Sequence, residues 1–418
     1  MATPESIRAL DVVVTAGCNL TCSYCFQNDK KAKSIDWEAL RSGIDLLMRS
    51  RDREVRLGFY GGEPLMEFPT IRRAVEYAEQ SRPPEKRVRY VIITNGTFLD
   101  DSVADFLAFH DFEVRLSFDG VPAAMRLRGR GTFEQLDGLL DRLRDRHPRF
   151  YRRNLSINLT MAIPAMGHLA DSIAYFLRKR VREVAISMVE TQASLWKRPM
   201  IDALDRQFAR IHRMCVRHYL RTGETPLQNL VRNAPATEHA PRDRAMCGVG
   251  QGEVLALDVD GKVYGCATFA ESFQTFRSDF LKSRLETMRL GNPRERGFRK
   301  RLAMYPQAVA EARIFDAKQD KHSSYGRCGE CRFLETCQVC PMSIGYLPGN
   351  TDPDRIPDHL CAFNLISLKY REKFPLTRPT PAEIVTGRAR VPLEVRNVDK
   401  LVRGLNLPGG VGGVPRRR

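Results

Sequence analysis

The 418-residue chain contains no run of 18 apolar residues, so it has no stretch long enough to cross a bilayer as a helix. Its first residues, Met-Ala-Thr-Pro-Glu-Ser, lack the apolar segment of a secretory signal, and a cytoplasmic location is the expectation. No internal repeat is visible. Acidic residues are outnumbered, 50 Asp and Glu against 67 Lys and Arg, for a net charge of +17. Such a surplus invites a nucleic-acid reading. The arginines are scattered, however, as in Arg144-Asp145-Arg146 and Arg152-Arg153, and no basic stretch is interleaved with aromatics as a stacking platform requires. Neither a nucleic acid nor a membrane is expected as a partner. Apolar residues are ample at 43%, and the length suits two or three domains at about 150 residues each. Eleven cysteines in a chain expected to meet a reducing compartment argue for metal binding or catalysis rather than disulfides.

Six β-rich runs, at 10–14, 55–60, 89–94, 112–117, 156–161 and 183–189, alternate with amphipathic stretches at 36–49, 70–81, 101–109, 132–144 and 168–180. Asp36, Thr70, Asp101 and Thr132 are the expected N-caps. The pattern is that of repeated βα units on a parallel sheet, an α/β class. The expected architecture is a partial (β/α)6 TIM barrel over residues 1–198, with a doubly wound sheet left open by periodicity alone. A helical linker at 199–239, a cysteine-rich domain at 240–375 built of a β-hairpin and short helices, and a C-terminal extension at 376–418 complete the expected organisation, the last ending in a Gly- and Pro-rich tail.

Cys18, Cys22 and Cys25 lie in Gly17-Cys-Asn-Leu-Thr-Cys-Ser-Tyr-Cys-Phe26, just beyond the first expected strand, where a barrel places its active-site loops. Structural zinc would call for a fourth Cys or His, and none follows in this loop. A cubane iron–sulfur cluster held by three thiolates keeps one iron open for a ligand. The triplet Cys-x3-Cys-x2-Cys, with Tyr24 before the last cysteine, resembles the signature of the radical S-adenosylmethionine (SAM) superfamily.

That resemblance implies that the open iron chelates SAM and that an electron from the cluster cleaves it to a 5′-deoxyadenosyl radical. Gly61-Gly62-Glu63-Pro64 resembles the family's GGEP element, in which the glycines permit close backbone approach and Glu63 faces the SAM ammonium. Thr94-Asn95-Gly96 and Ser117-Phe118-Asp119-Gly120 look like further elements near SAM. Ser117 and Arg128 are expected to hold the SAM carboxylate, with Arg126 and Arg130 as competing choices. Tyr24 and Phe26 are expected beside the cofactor. Asp119 is a candidate acid or base. Asn158 and Glu190 stand at the ends of the fifth and sixth expected strands, where a cavity or a merely structural role is open to each.

A second set, Cys247, Cys266, Cys328, Cys331, Cys337, Cys340 and Cys361, resembles the SPASM extension, which carries two auxiliary [4Fe–4S] clusters. Two residues stand between Cys337 and Cys340 where the family usually has three. Residues 252–264 read as a β-hairpin turning at Asp260-Gly261. By analogy Cys247, Cys266 and Cys340 serve the first auxiliary cluster, whose fourth iron is open or held by a group such as Asp243. Cys328, Cys331, Cys337 and Cys361 serve the second. A zinc ribbon of Cys328, Cys331, Cys337 and Cys340 is the alternative. Cys215 fits neither set and reads as structural.

The implied activity is an oxidoreductase that abstracts hydrogen from a residue of a peptide, in oxidation or cross-linking of ribosomal peptide products. SAM and three [4Fe–4S] clusters are the implied cofactors. A precursor peptide, a separate leader-recognition protein, and flavodoxin or ferredoxin as electron donor are the implied partners. The first motif begins at Cys18, which leaves no room ahead of it for the leader-binding domain of some relatives. Anaerobic sulfatase maturases also carry a similar first motif. In them an aspartate follows the cysteine corresponding to Cys266, whereas Ala267 stands here. Radical dehydrogenation of a small molecule is a further alternative, and a structural iron–sulfur or zinc protein binding nucleic acid is the non-enzymatic one.

Overall fold

The computed structural model describes residues 6–27, 30, 32–230, 248–273, 286–312, 318–337, 340 and 350–374. Strands β1 (Ala9–Thr15), β2 (Glu54–Gly61), β3 (Arg87–Thr94), β4 (Glu113–Ser117), β5 (Leu155–Met161) and β6 (Val184–Met188) stand side by side in chain order, each parallel to the last. A doubly wound sheet reverses its strand order at a switch point. The unbroken order found here is that of a barrel wall, and the sheet stays open at β6. All six strands fall within two residues of their expected places.

One face of this sheet is apolar and the other polar, as the period of two dictates. Leu10, Val12, Leu57, Phe59, Val114 and Leu116 are buried under the helices, whereas Asp11, Arg56, Glu113, Arg115 and Asn158 on the opposite face keep contact with solvent. The crossovers are α1 (Trp37–Met48), α2 (Phe68–Ser81), α3 (Asp101–Phe109), the short α4 (Pro122–Met125), α5 (Thr132–Arg146), α6 (Pro148–Arg153) and α7 (Leu169–Arg178). Asp36 caps α1 as expected, accepting from Glu38 N at 2.9 Å and Ala39 N at 3.3 Å. The other three expected caps are displaced. Thr70 lies inside α2, which starts earlier because Pro69 fits its first turn. Asp100, not Asp101, caps α3 by accepting from Val103 N, and Thr132 is already helical behind Gly131 at φ 75.

The expected hairpin is present and does more than the spacing suggested. Its first strand, β7 (Val254–Leu257), pairs in parallel with the free edge of β1, Ala9 opposite Val254 and Val12 opposite Leu257. The barrel sheet therefore runs on into the cysteine-rich region, and β8 (Val263–Tyr264) and β9 (Arg289–Gly291) bring it to nine strands. The turn opens at Asp258, whose N–H donates to Lys262 O at 2.9 Å, and Gly261 takes the left-handed conformation at φ 79. Asp258 is itself buried, its carboxylate accepting from Val259 N and Ser272 N.

The long helix α8 (Met200–Thr222) follows β6, and α9 (Phe298–Glu311) and α10 (Asp358–Lys373) lie in the cysteine-rich region, where only short helices were expected. Phe208 of α8 packs its ring 5.7 Å from Phe363 and 6.3 Å from Tyr370 of α10. Lys369 pairs with Asp205 at 2.7 Å, and buried His359 hydrogen-bonds the Val189 carbonyl at 2.9 Å. Helix α10 is thereby fastened to the barrel beside β6. Among the described residues no helix is long and apolar enough to cross a membrane. Phe208→Ala should lower stability by about 3–5 kcal/mol by opening a cavity between α8 and α10; the shift of a denaturant midpoint measures it, and a near-zero shift would deny this packing its role.

Candidate active site

The C-terminal ends of β1, β2, β3 and β4 gather the first cysteine motif and the three expected partner motifs at one mouth of the barrel. The joint between β1 and β2 is made of backbone. Gly62 N donates to Thr15 O at 2.9 Å and Glu63 N to Gly17 O at 2.9 Å. A Cβ added to Gly62 would lie 2.2 Å from Gly17 O and 2.9 Å from the Cys18 Cβ. One added to Gly61, whose φ is 149°, would lie 2.3 Å from Thr15 O. Only glycine lets the two chains come this close. Pro64 follows as the first residue of a short 3-10 turn, Pro64–Glu67.

Glu63 is fully buried, and its carboxylate binds three donors: Leu65 N at 3.0 Å, Thr94 Oγ1 at 2.6 Å and Asn95 N at 2.6 Å. It thus ties the end of β2 to the end of β3. Burial raises its carboxyl to about 7 against the pull of those hydrogen bonds. Asn95 in turn reaches toward the cysteine loop, with Nδ2 3.0 Å from Asn19 Oδ1 and 3.9 Å from Cys18 Sγ.

Cys18, Cys22 and Cys25 are all partly exposed. Cys18 Sγ accepts from Leu20 N at 3.4 Å, and Cys25 N donates to Cys22 O at 3.1 Å, which curls the loop. The three thiols are close enough for their charges to act on one another. Burial raises the thiols of Cys18 and Cys22, and the Arg128 charge draws Cys22 back down. Among the described residues, no three His, Cys, Asp or Glu side chains close around a single ion.

Asp119 and Arg128, expected in separate roles, form one buried ion pair. Arg128 Nε and Nη2 meet the two Asp119 oxygens at 2.9 Å each, with the side chains 7% and 2% exposed. Asp119 also accepts from Thr160 N at 2.9 Å and from the Tyr24 hydroxyl. The carboxylate is therefore occupied on both oxygens, which suits a positioning role better than proton transfer. The Arg128 guanidinium stands 5.5 Å from the Tyr24 ring centre, and Thr191 Oγ1 donates to Tyr24 O at 3.0 Å. Arg126 and Arg130 are exposed, so of the three arginines only Arg128 turns inward. Ser117 is half-buried at the end of β4, and Asn158 accepts from Ser187 Oγ at 3.2 Å.

A residue that the motifs do not flag joins these groups. The Tyr60 ring lies 5.3 Å from Phe273, which lies 5.3 Å from Phe26, the residue after Cys25. Burial raises the Tyr60 phenol strongly, and Cys266, Cys25, Asp11 and Glu190 add their negative charge to the effect. The signal for it was its place immediately before Gly61, on the inward side of β2.

Of the second cysteine set, Cys247 lies outside the described residues, as do Asp243 and its neighbours. Cys266 follows β8, its Sγ 3.2 Å from Thr268 Oγ1. Cys328, Cys331, Cys337 and Cys361 lie within electrostatic reach of one another; burial raises Cys337 to about 12 and Cys361 to about 11, the other thiols adding to it. Lys318 acts on Cys337 in the opposite sense. Cys340 is exposed, and buried Cys215 sits inside α8.

Residues 12–164 match the family model of the radical SAM superfamily. A cysteine-type anaerobic sulfatase-maturating enzyme of Clostridium perfringens is 33% identical over 116 residues, which are 25% of this chain and 31% of that enzyme. The match thus spans about a third of the relative. In fold the chain resembles anSMEcpe with bound AdoMet and the Kp18Cys peptide, at a TM-score of 0.65 and 17% identity, covering 87% of this chain and 97% of that one. It also resembles Streptococcus suis SuiB bound to the precursor peptide SuiA, at a TM-score of 0.53 and 13% identity, covering 85% and 76%.

The family implies a [4Fe–4S] cluster and SAM. The donor set suits them in kind: three free thiols on one curled loop are the number that would leave one iron of a cubane open, and the glycine joint keeps that loop tight against β2. Gly62→Ala should push Cys18 off the joint and cut the iron retained at this loop several-fold on reconstitution, read by iron analysis with the remaining cysteines intact; full retention would show that the close approach does not matter.

Proposed function

We propose that this enzyme cleaves SAM reductively at the Cys18, Cys22 and Cys25 loop and abstracts hydrogen from a residue of a peptide substrate, as an oxidative maturase of ribosomal peptides. The observation that carries the reading is the three-thiol loop held against Gly61-Gly62 inside the matched domain. When bound, the cluster and SAM supply a carbon radical able to attack unactivated C–H bonds. The chain's own groups bind and orient. Cys18, Cys22 and Cys25 hold the cluster; Gly61, Gly62, Pro64, Thr94, Asn95, Ser117, Tyr24 and Phe26 line the cofactor's place. An ammonium group set against Glu63 would favour its ionised form. Arg128 gives the site a buried positive charge, and Asp119 fixes it there by two hydrogen bonds.

The cysteine-rich region acts as a SPASM extension over 240–375, after the barrel at 1–198 and the linker at 199–239. Cys328, Cys331, Cys337 and Cys361 hold one auxiliary cluster, a set supported by their mutual electrostatic reach. Cys247, Cys266 and Cys340 hold the other. These clusters provide the route for the electron that oxidation of the substrate releases, while flavodoxin or ferredoxin supplies the electron for SAM cleavage. A peptide as substrate is supported by the fold shared with anSMEcpe and SuiB, both bound to peptides. Sulfatase maturation is the second reading, favoured by the relative in Clostridium perfringens; buried Ala267 after Cys266 weighs against it.

Replacing Cys18, Cys22 and Cys25 together by Ala should abolish deoxyadenosine formation while leaving auxiliary iron bound; continued SAM cleavage would refute the assignment. Anaerobic reconstitution should give roughly twelve irons per chain, four for each of three cubanes. A four-iron protein with bound zinc would remove the auxiliary clusters.

A further inference from the structure

The barrel carries a cavity at the end opposite the cysteine loop. It measures about 650 Å³ and lies where β2 to β6 begin, with Glu54, Arg87, Glu113, Leu155 and Glu183 in its wall. The acids around it are engaged. Glu54 lies 3.4 Å from Arg89 and 3.8 Å from Arg87, and Glu113 also pairs with Arg89. Asp111 accepts from Asn154 Nδ2 at 2.9 Å, and Glu183 from Gln228 Nε2. Three cations are left over. Arg115, Arg153 and Arg182 line the same cavity and are exposed, and none of their side chains has an ion-pair or hydrogen-bond partner among the described residues. Neighbouring Arg152, by contrast, pairs with Glu224 at 2.7 Å. Asp11 is within electrostatic reach of Arg115, but Arg56 already holds both its oxygens at 3.1 Å. At the rim, Phe109 ends α3 and is 84% exposed, the most exposed large apolar residue among those described. Its ring stands edge-on 4.9 Å from that of His110, which lines the cavity.

A guanidinium presents a planar fork that matches a carboxylate, so three of them without acids of their own in one recess form a site for several carboxylates. An exposed ring beside them anchors an apolar side chain. A recess of this size takes a ligand with the bulk of a short peptide segment rather than a lone ion. We propose that this floor cavity binds an acidic segment of the peptide substrate, its carboxylates on Arg115, Arg153 and Arg182 and an apolar side chain on Phe109. The proposal rests on the peptide reading of the function and adds the charge of the substrate and the place where it is held. Floor and mouth belong to one lumen. Arg115 stands two residues below Ser117 on the same face of β4, and β5 runs from Leu155 at the cavity to Met161 at the mouth, a span of about 20 Å. An extended chain covers that span in about six residues, which sets the acidic segment that far from the residue delivered to the cysteine loop. Holding the substrate at the floor raises the effective concentration of its reacting residue at the mouth with no new contact there.

The test is fluorescence anisotropy of the anaerobically reconstituted full-length protein at low salt, with a labelled peptide of four glutamates and two leucines and with its glutamine counterpart. The glutamate peptide should bind about ten-fold more tightly than the glutamine one. R115Q/R153Q/R182Q should remove about ten-fold of that affinity, and Phe109→Ser several-fold. R153Q/R182Q, which leaves the strand residue in place, should lose part of it and so guards against a folding defect. R206Q/R213Q/R221Q takes the same charge from the exposed side of α8 and should leave binding almost unchanged, and SAM cleavage should persist in every variant. Equal losses in the floor and α8 variants, no preference for glutamate over glutamine, or tighter capture of an oligothymidylate than of the peptide would overturn the floor site and leave the chemistry at the cysteine loop standing. A protein that binds the glutamate peptide through these arginines yet never cleaves SAM would refute that chemistry and keep the floor site.

Discussion

The close contact between two backbones, Gly61-Gly62 at the end of β2 and Thr15 to Cys18 at the end of β1, is the constraint on which the site depends. A single added Cβ at Gly62 would sit 2.2 Å from a carbonyl oxygen, well inside the distance at which atoms repel. Because the contact is between main chains, it fixes the start of the cysteine loop without relying on any side-chain rotamer. Glu63 continues the same joint to β3 through Thr94 and Asn95, and Asn95 returns to the loop through Asn19. Three segments distant in sequence are thereby held as one rim. The cost is a buried carboxyl, which three hydrogen bonds do not fully offset.

Opposite that rim, the Asp119–Arg128 pair holds the second half of the site. A buried ion pair is weak evidence of stability, since desolvation cancels much of the attraction. Its value here is positional. The bidentate geometry sets the guanidinium plane, Tyr24 locks the same carboxylate from the cysteine loop, and Thr160 N binds it from the end of β5. A positive charge is thus kept inside the mouth where a flexible lysine would turn outward.

Much of this could be read from the residues. The six barrel strands appear within two residues of expectation because each is a short apolar run bounded by turn residues. The motifs at their ends meet because parallel strands in chain order carry them to one side. The helix caps were less readable: Asp100 and Asp101 are both plausible caps, and the choice depends on one side-chain hydrogen bond. The pairing of β7 with β1 was hidden, because strands that far apart in sequence leave no local sign of adjacency. So was the Asp119–Arg128 pair, which appeared as two independent polar residues until the loop between them folded inward. The helices α9 and α10 were obscured by the surrounding Gly, Pro and Cys.

The ladder between β1 and β7 also bears on how the two cysteine regions relate mechanically. Cys18 is reached from the end of β1, and Cys266 by way of the hairpin that begins with β7. Cys25, on the same loop as Cys18, and Cys266 both bear on one phenol, that of Tyr60. With hydrogen bonds rather than a tether joining their supports, neither can swing away without tearing the sheet, so the spacing between the two cysteine loops is set by the chassis and not by a hinge.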